Sequence, residues 1–178
     1  LLFACDNTPK DASELNLEDF KEPISYALGS DMAASFANIP EEEFNSLDHD
    51  AIEEGFYEQL SAKEASSTDA CREILQGAFS QPQGIDTTAN TMKEISHCYG
   101  AIFGEMLRSS LDSKNAMKEI DQNIARIGFR SGLNKTDTLI PADELKQMIM
   151  DFNNDMNKIA GEDFMNEKSG VEGAQVAA

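Results

Sequence analysis

Several stretches of the sequence bring together residue types capable of chemistry. Asp151-Phe152-Asn153-Asn154-Asp155, followed by Glu162, sets oxygen ligands at the first, third, fifth and twelfth places of an EF-hand loop, which would hold calcium. The sixth place, however, is Met156 where the sharp turn needs Gly, and Met148 and Phe152 carry a helical apolar row through the segment. It therefore reads as a solvated acidic helix. Asp48-His49-Asp50 with Glu53 offers an imidazole and carboxylates to a metal, but Asp48 stands where a helix needs its N-cap, which turns His49 elsewhere. His97 and Cys98 are the types of a base and a nucleophile, yet neighbours on a helix face different ways. No metal, cofactor or catalytic group is expected from these residues. Asn134-Lys135-Thr136 fits a glycosylation sequon and is read as idle; Gly-rich phosphate loops and basic patches interleaved with aromatics do not occur.

The cysteines divide into two kinds. Cys71 and Cys98 show no CxxC spacing and read as small buried hydrophobes; a disulfide between them in an oxidising compartment stays open, without support from spacing. Cys5 closes the run Leu1-Leu2-Phe3-Ala4-Cys5, after which the chain turns polar at once. That run resembles the lipobox that ends a bacterial lipoprotein signal. The resemblance implies cleavage before Cys5 and lipidation of its thiol, hence a protein of the periplasm or cell surface that meets the membrane only through its lipid. With neither an initiating Met nor a basic stretch ahead of it, the sequence reads as starting inside a longer precursor.

Charge excludes one class of partner. Among 178 residues, 33 are acidic and 14 basic, a net of −19. A field of that sign repels phosphate backbones and anionic headgroups, so nucleic acid is not expected to bind. No apolar run approaches the roughly 20 residues that a bilayer-spanning helix needs.

The elements that would position all this are helical. Asp6 to Glu22 lacks periodicity and reads as a tether within a leading segment 1–22. Pro23 suits a first helical turn, and Ile24, Leu28, Met32 and Phe36 then recur every fourth residue along one face. Asn38-Ile39-Pro40 breaks that helix. A second is expected from Asp48 through Ile52, Gly55-Phe56 and Leu60, and a third from Thr68 through Ile74, Leu75, Ala78 and Phe79. The order then returns. Ile95, Tyr99, Phe103, Leu107 and Leu111 repeat the spacing-four row; Ile24-Ser25 with Gly29 matches Ile95-Ser96 with Gly100 at an offset of 71 residues. Leu47-Asp48, Gly55-Phe56, Leu60 and Phe79 match Ile120-Asp121, Gly128-Phe129, Leu133 and Phe152 at an offset of 73. Repeated order points to tandem duplication. No segment alternates as a strand would. The expected fold is all-α: a first three-helix repeat over residues 23–82, a second over 90–165, and a linker over 166–178, where the composition becomes small and polar.

Ile24-Ser25-Tyr26-Ala27-Leu28-Gly29-Ser30-Asp31, followed by Leu47-Asp48-His49-Asp50-Ala51-Ile52-Glu53-Glu54-Gly55-Phe56, resembles the helical region amino-terminal to bacterial FKBP-type peptidyl-prolyl isomerases, as in the macrophage infectivity potentiator proteins. Residues 24–80 carry the resemblance well and 95–160 less closely, with His97 in the place of Tyr26. It implies a helical dimerisation and spacer module with a chaperone-like part in protein folding, whose helices intertwine between two subunits and hold isomerase domains on a long connecting helix. The FKBP sheet and its aromatic proline pocket have no counterpart in the sequence, so no isomerase activity is expected of this chain itself. The rows Ile24, Leu28, Met32, Phe36 and Ile95, Tyr99, Phe103, Leu107 are the candidate interface. They would serve a homodimer or, with two copies in one chain, intrachain pairing of the repeats. The alternative is a free-standing helical lipoprotein that binds unfolded or partner proteins in its grooves, with no enzymatic activity.

Overall fold

In a computed structural model of the chain, the described residues are 14–16, 18, 20–63, 67–80, 84–135 and 139–175, with side chains described as far as Ile159. The lipidation candidate Cys5 lies outside them. Among the described residues the chain is all-helical, without a strand. Its α-helices are α1 (Lys21–Ala34), α2 (Glu41–Ser46), α3 (His49–Ser61), α4 (Asp69–Ala78), α5 (Met92–Asp112), α6 (Gln122–Leu133) and α7 (Ala142–Gln175). Two 3-10 turns, Ser35–Asn38 and Met117–Glu119, punctuate them.

Local chemistry accounts for most boundaries. Pro23 sits in the first turn of α1, where its missing N–H is no loss. After the first 3-10 turn Ile39 is extended, as the residue before Pro40 must be to avoid the ring. Asp48 caps α3 by accepting the Ala51 N–H at 3.0 Å, and Asp121 caps α6 by accepting from Asn123 and Ile124. Thr91 and Glu94 form a reciprocal capping box at the start of α5. The Arg108 guanidinium, itself buried, donates to the carbonyls of Ala62 and Lys63 and so closes the far end of α3.

Two departures from the sequence expectation stand out. Glu41–Ser46 forms a short helix where only a connection was expected; three carboxylates in its first turn suit the positive end of a helix, and Phe44 anchors it in the core. The linker expected over 166–178 is instead helical as far as Gln175, the end of α7. Its Glu, Lys, Ala and Gln are good helix formers and no Pro follows Pro141, so small, polar composition misleads there. With 34 residues, α7 is about 51 Å long at 1.5 Å per residue. At the other end, part of the expected tether is docked: Leu15 packs against the core and the Asn16 N–H donates to Glu22.

The helices do not associate in chain order. The principal contacts of α1 are with α6 and α7, while α5 packs on α3 and α4. Then α3 and α6 cross and join the two groups. The larger apolar cluster draws Ile24, Leu28, Phe36, Ile52, Phe56 and Leu60 from one side and Leu107, Leu111, Ala125, Phe129, Leu133 and Phe152 from the other, and a smaller one gathers Tyr26, Ala27, Ile124, Ile127, Ile140 and Leu145. Residues 23–82 and 90–165 are thus interleaved, each lending its first helix to the other.

Candidate functional site

The chemistry of this chain is concentrated where the two segments meet. Where α1 crosses α6, and α5 crosses α3, backbones come closer than side chains permit. A Cβ on Gly29 would lie 1.9 Å from the Ala125 carbonyl oxygen, and one on Gly100 would lie 1.8 Å from that of Ile52. In return, a Cβ on Gly128 would meet the Tyr26 oxygen at 2.1 Å and one on Gly55 the His97 oxygen at 2.1 Å. Glycine at these four places is what lets the helices lie in contact, main chain on main chain.

Hydroxyls complete each crossing. Buried Ser25 accepts the Asp121 N–H at 2.7 Å, and buried Ser96 accepts the Asp48 N–H at 2.8 Å. Each serine therefore satisfies the backbone of the capping residue that opens the other segment's helix. The Ile-Ser-x-x-x-Gly motif in both segments thereby acquires a physical meaning: an apolar anchor, a polar latch, and a gap for a foreign backbone.

At the central crossing of α3 and α6 the Phe56 and Phe129 rings stack, and beside them lies a cluster of charge. Glu53, only 3% exposed, accepts from Arg126 Nε and from both Nε and Nη2 of Arg130. The hydrogen bond to Glu53 holds the Arg130 guanidinium above its ordinary pKa. Arg126 also lies over the Tyr57 ring at 4.8 Å, and the Tyr57 hydroxyl donates to Asn123 at 2.7 Å. A buried carboxylate shared between two guanidiniums is satisfied only while both segments are in place.

The eight candidate interface residues lie inside this arrangement. Ile24, Leu28, Phe36, Ile95 and Leu107 are buried, and Met32, Tyr99 and Phe103 are partly buried against the same core. Phe36 gathers the aromatics, with ring centroids 5.2 Å from Tyr99 and 4.9 Å from Phe103. Burial, with the Glu43 carboxylate nearby, pushes the Tyr99 phenol up. The two rows meet at Phe36, while α1 and α5 pack chiefly on α6 and α3.

Comparison with protein-family models, with curated proteins and with solved structures returns no match.

Cys71 of α4 and Cys98 of α5 form a disulfide, with Cα atoms 4.8 Å apart, where the sequence reading favoured two separate buried thiols. Spacing gave no warning because a sequence separation of 27 says nothing about how α4 folds back on α5. Glu105 reinforces the same junction by accepting from Thr68 and Arg72. The remaining motifs resolve into structure. Asp151 to Glu162 runs inside α7, with Asp151 accepting from Gln147 and Asp155 paired with Lys158. Asp48 is a cap, His49 bonds the Phe44 carbonyl at 3.2 Å, and His97 pairs with Glu58 at 3.0 Å. Among the described residues no group of acidic, histidine and cysteine side chains is placed to hold a metal, and no helix is long and apolar enough to cross a membrane. A groove of about 370 Å³ lies between the start of α1 and α7, lined by Glu18, Phe20, Pro23, Leu139, Ile140 and Met148.

Proposed function

We propose that this chain is the helical pairing and spacer module of a lipid-anchored FKBP-type peptidyl-prolyl isomerase that acts in protein folding, with the catalytic domain outside this sequence. The observation that carries the reading is the exchange of first helices: α1 lies on α6 and α7, α5 on α3 and α4. Intertwined helices are what the resemblance implies for two subunits, and here the two interleaved segments belong to one chain and share short motifs at offsets of 71 and 73. Duplication of a dimerising unit would yield this arrangement, a dimer within a monomer. The long α7 supports a spacer role, since a helix of this length separates what it joins. The disulfide accords with an oxidising compartment such as the periplasm.

A second reading keeps the same fold without an enzyme: a helical lipoprotein that holds partner segments. The groove beside α1 favours it, because Phe20 is 59% exposed and Leu139 39% exposed at its edge. Reading the gene beyond the codon for Ala178 separates the two. An open frame encoding an FKBP sheet supports the isomerase module; a stop codon leaves the binding lipoprotein. Light scattering on the purified chain tests the pairing itself. A 19.5 kDa monomer is expected, and an obligate dimer would overturn intrachain pairing.

A further inference from the structure

Several matched positions at the central crossing are identical. Gly55 and Gly128, Phe56 and Phe129, Leu60 and Leu133 match like with like at the offset of 73, whereas Ala51 and Ile52 stand where α6 has Ile124 and Ala125, and Tyr57 where it has Arg130. The reversal of charge is confined to one matched position: Glu53 on α3 stands at the place where α6 has Arg126. These two meet across the crossing at 2.5 Å, and Arg130 closes on the same carboxylate. If a first half paired with a first half, Glu53 would face a second Glu53 in a site that leaves it almost no water. If a second half paired with a second half, Arg126 and Arg130 would face their own copies with no carboxylate between them. Removing two like charges from water without a partner is far more costly than losing a few apolar contacts.

We propose that Glu53, Arg126 and Arg130 are a pairing code: the α3 face accepts only an α6 face, from its own chain or from a second copy that exchanges halves reciprocally, and rejects its own kind. The cluster thereby gives a partly self-complementary surface a defined partner, because the wrong match opposes like charges out of water. The inference rests on the pairing of halves in the reading above and is independent of whether an isomerase domain exists.

Two full-length variants test it. Glu53→Arg makes both faces of one chain basic, and Arg126→Glu with Arg130→Glu makes both faces of another acidic. Each alone should melt roughly 6–20 °C below the parent chain, with like charges now opposed at the crossing. Unfolded together in equal amounts and refolded, the two chains can exchange halves so that both crossings carry opposite charges. The expected result is a helical one-to-one complex of twice the 19.5 kDa chain mass by light scattering, melting above either variant. Neither variant should form that complex with the parent chain. A mixture that yields no such species, whether because both chains stay monomeric or because both aggregate, overturns the proposal. So does equal complex formation with the parent.

Discussion

Phe56 and Phe129 stack face to face, ring centroids 3.9 Å apart and planes within 1° of parallel. Each follows a glycine, at an offset of 73 residues, and the stack marks where α3 and α6 cross. Both rings are fully buried. Phe56→Ala and Phe129→Ala should each cost about 3–5 kcal/mol. Because the rings fill one shared space, the double variant should lose clearly less than the sum. A double-mutant cycle by urea denaturation measures this, and strict additivity would contradict a shared contact.

Close approach of backbones makes a sharper forecast. Gly29→Ala and Gly100→Ala place a methyl group within 2 Å of a carbonyl oxygen on the opposite helix. Neither main chain can yield locally, so each should destabilise the protein by about 3 kcal/mol or more. Gly77, inside α4, has open space at its Cβ position. Gly77→Ala should instead raise stability by roughly 0.5–1 kcal/mol, because glycine within a helix is entropically unfavourable. Thermal melts of the three variants should fall on opposite sides of the parent.

The disulfide closes a loop spanning 27 residues. Chain-entropy reasoning gives it about 3.5 kcal/mol, so Cys71→Ser with Cys98→Ser should lower the melting temperature by roughly 7–14 °C. Peptide mapping without reductant should recover Cys71 and Cys98 in one linked fragment. Their recovery as separate alkylated peptides would contradict the pairing.

Acid should loosen α5 from its N-terminus. Hydrogen bonds from the Thr91 backbone and hydroxyl hold the Glu94 carboxyl below its ordinary pKa. A carboxyl whose folded pKa is depressed contributes stability that is present above its unfolded value, near 4.5, and is lost as pH falls through the folded one. Asp86, held low by Thr88, adds a second contribution of the same sign. Melting temperature should therefore drop between about pH 5 and pH 3, and Glu94→Gln, already without the charge, should show a shallower drop. An identical slope in the two proteins would remove the capping box as a cause.

Helical content and the starts of α1, α3 and α4 were readable from sequence because they depend on local chemistry. Spacing of four marks a buried face, as with Ile24, Leu28 and Phe36, and Asp48 is a cap wherever its helix later packs. Which helix lies on which was not readable. A row of apolar residues states that it is covered, not by what, so both one chain and two remained open. The Glu53 cluster was missed for a related reason: read along the chain, Glu53 belongs with Asp48 and Asp50, and only its counterpart 73 residues later is basic. Comparing charge at matched positions would have exposed it. Glu41–Ser46 was too short for periodicity, and the end of α7 was hidden by a composition that fits linker and helix alike.

Interleaving also governs how the protein is made. The Ser25 hydroxyl meets its partner amide 96 residues further along, at Asp121, so α1 emerges from the ribosome long before α6 exists to cover it. Until then its oily side is exposed, and collapse in the order of synthesis would bury it against the wrong neighbour. A nascent chain of this design depends on staying open, or on being held open by a chaperone, until the second half arrives.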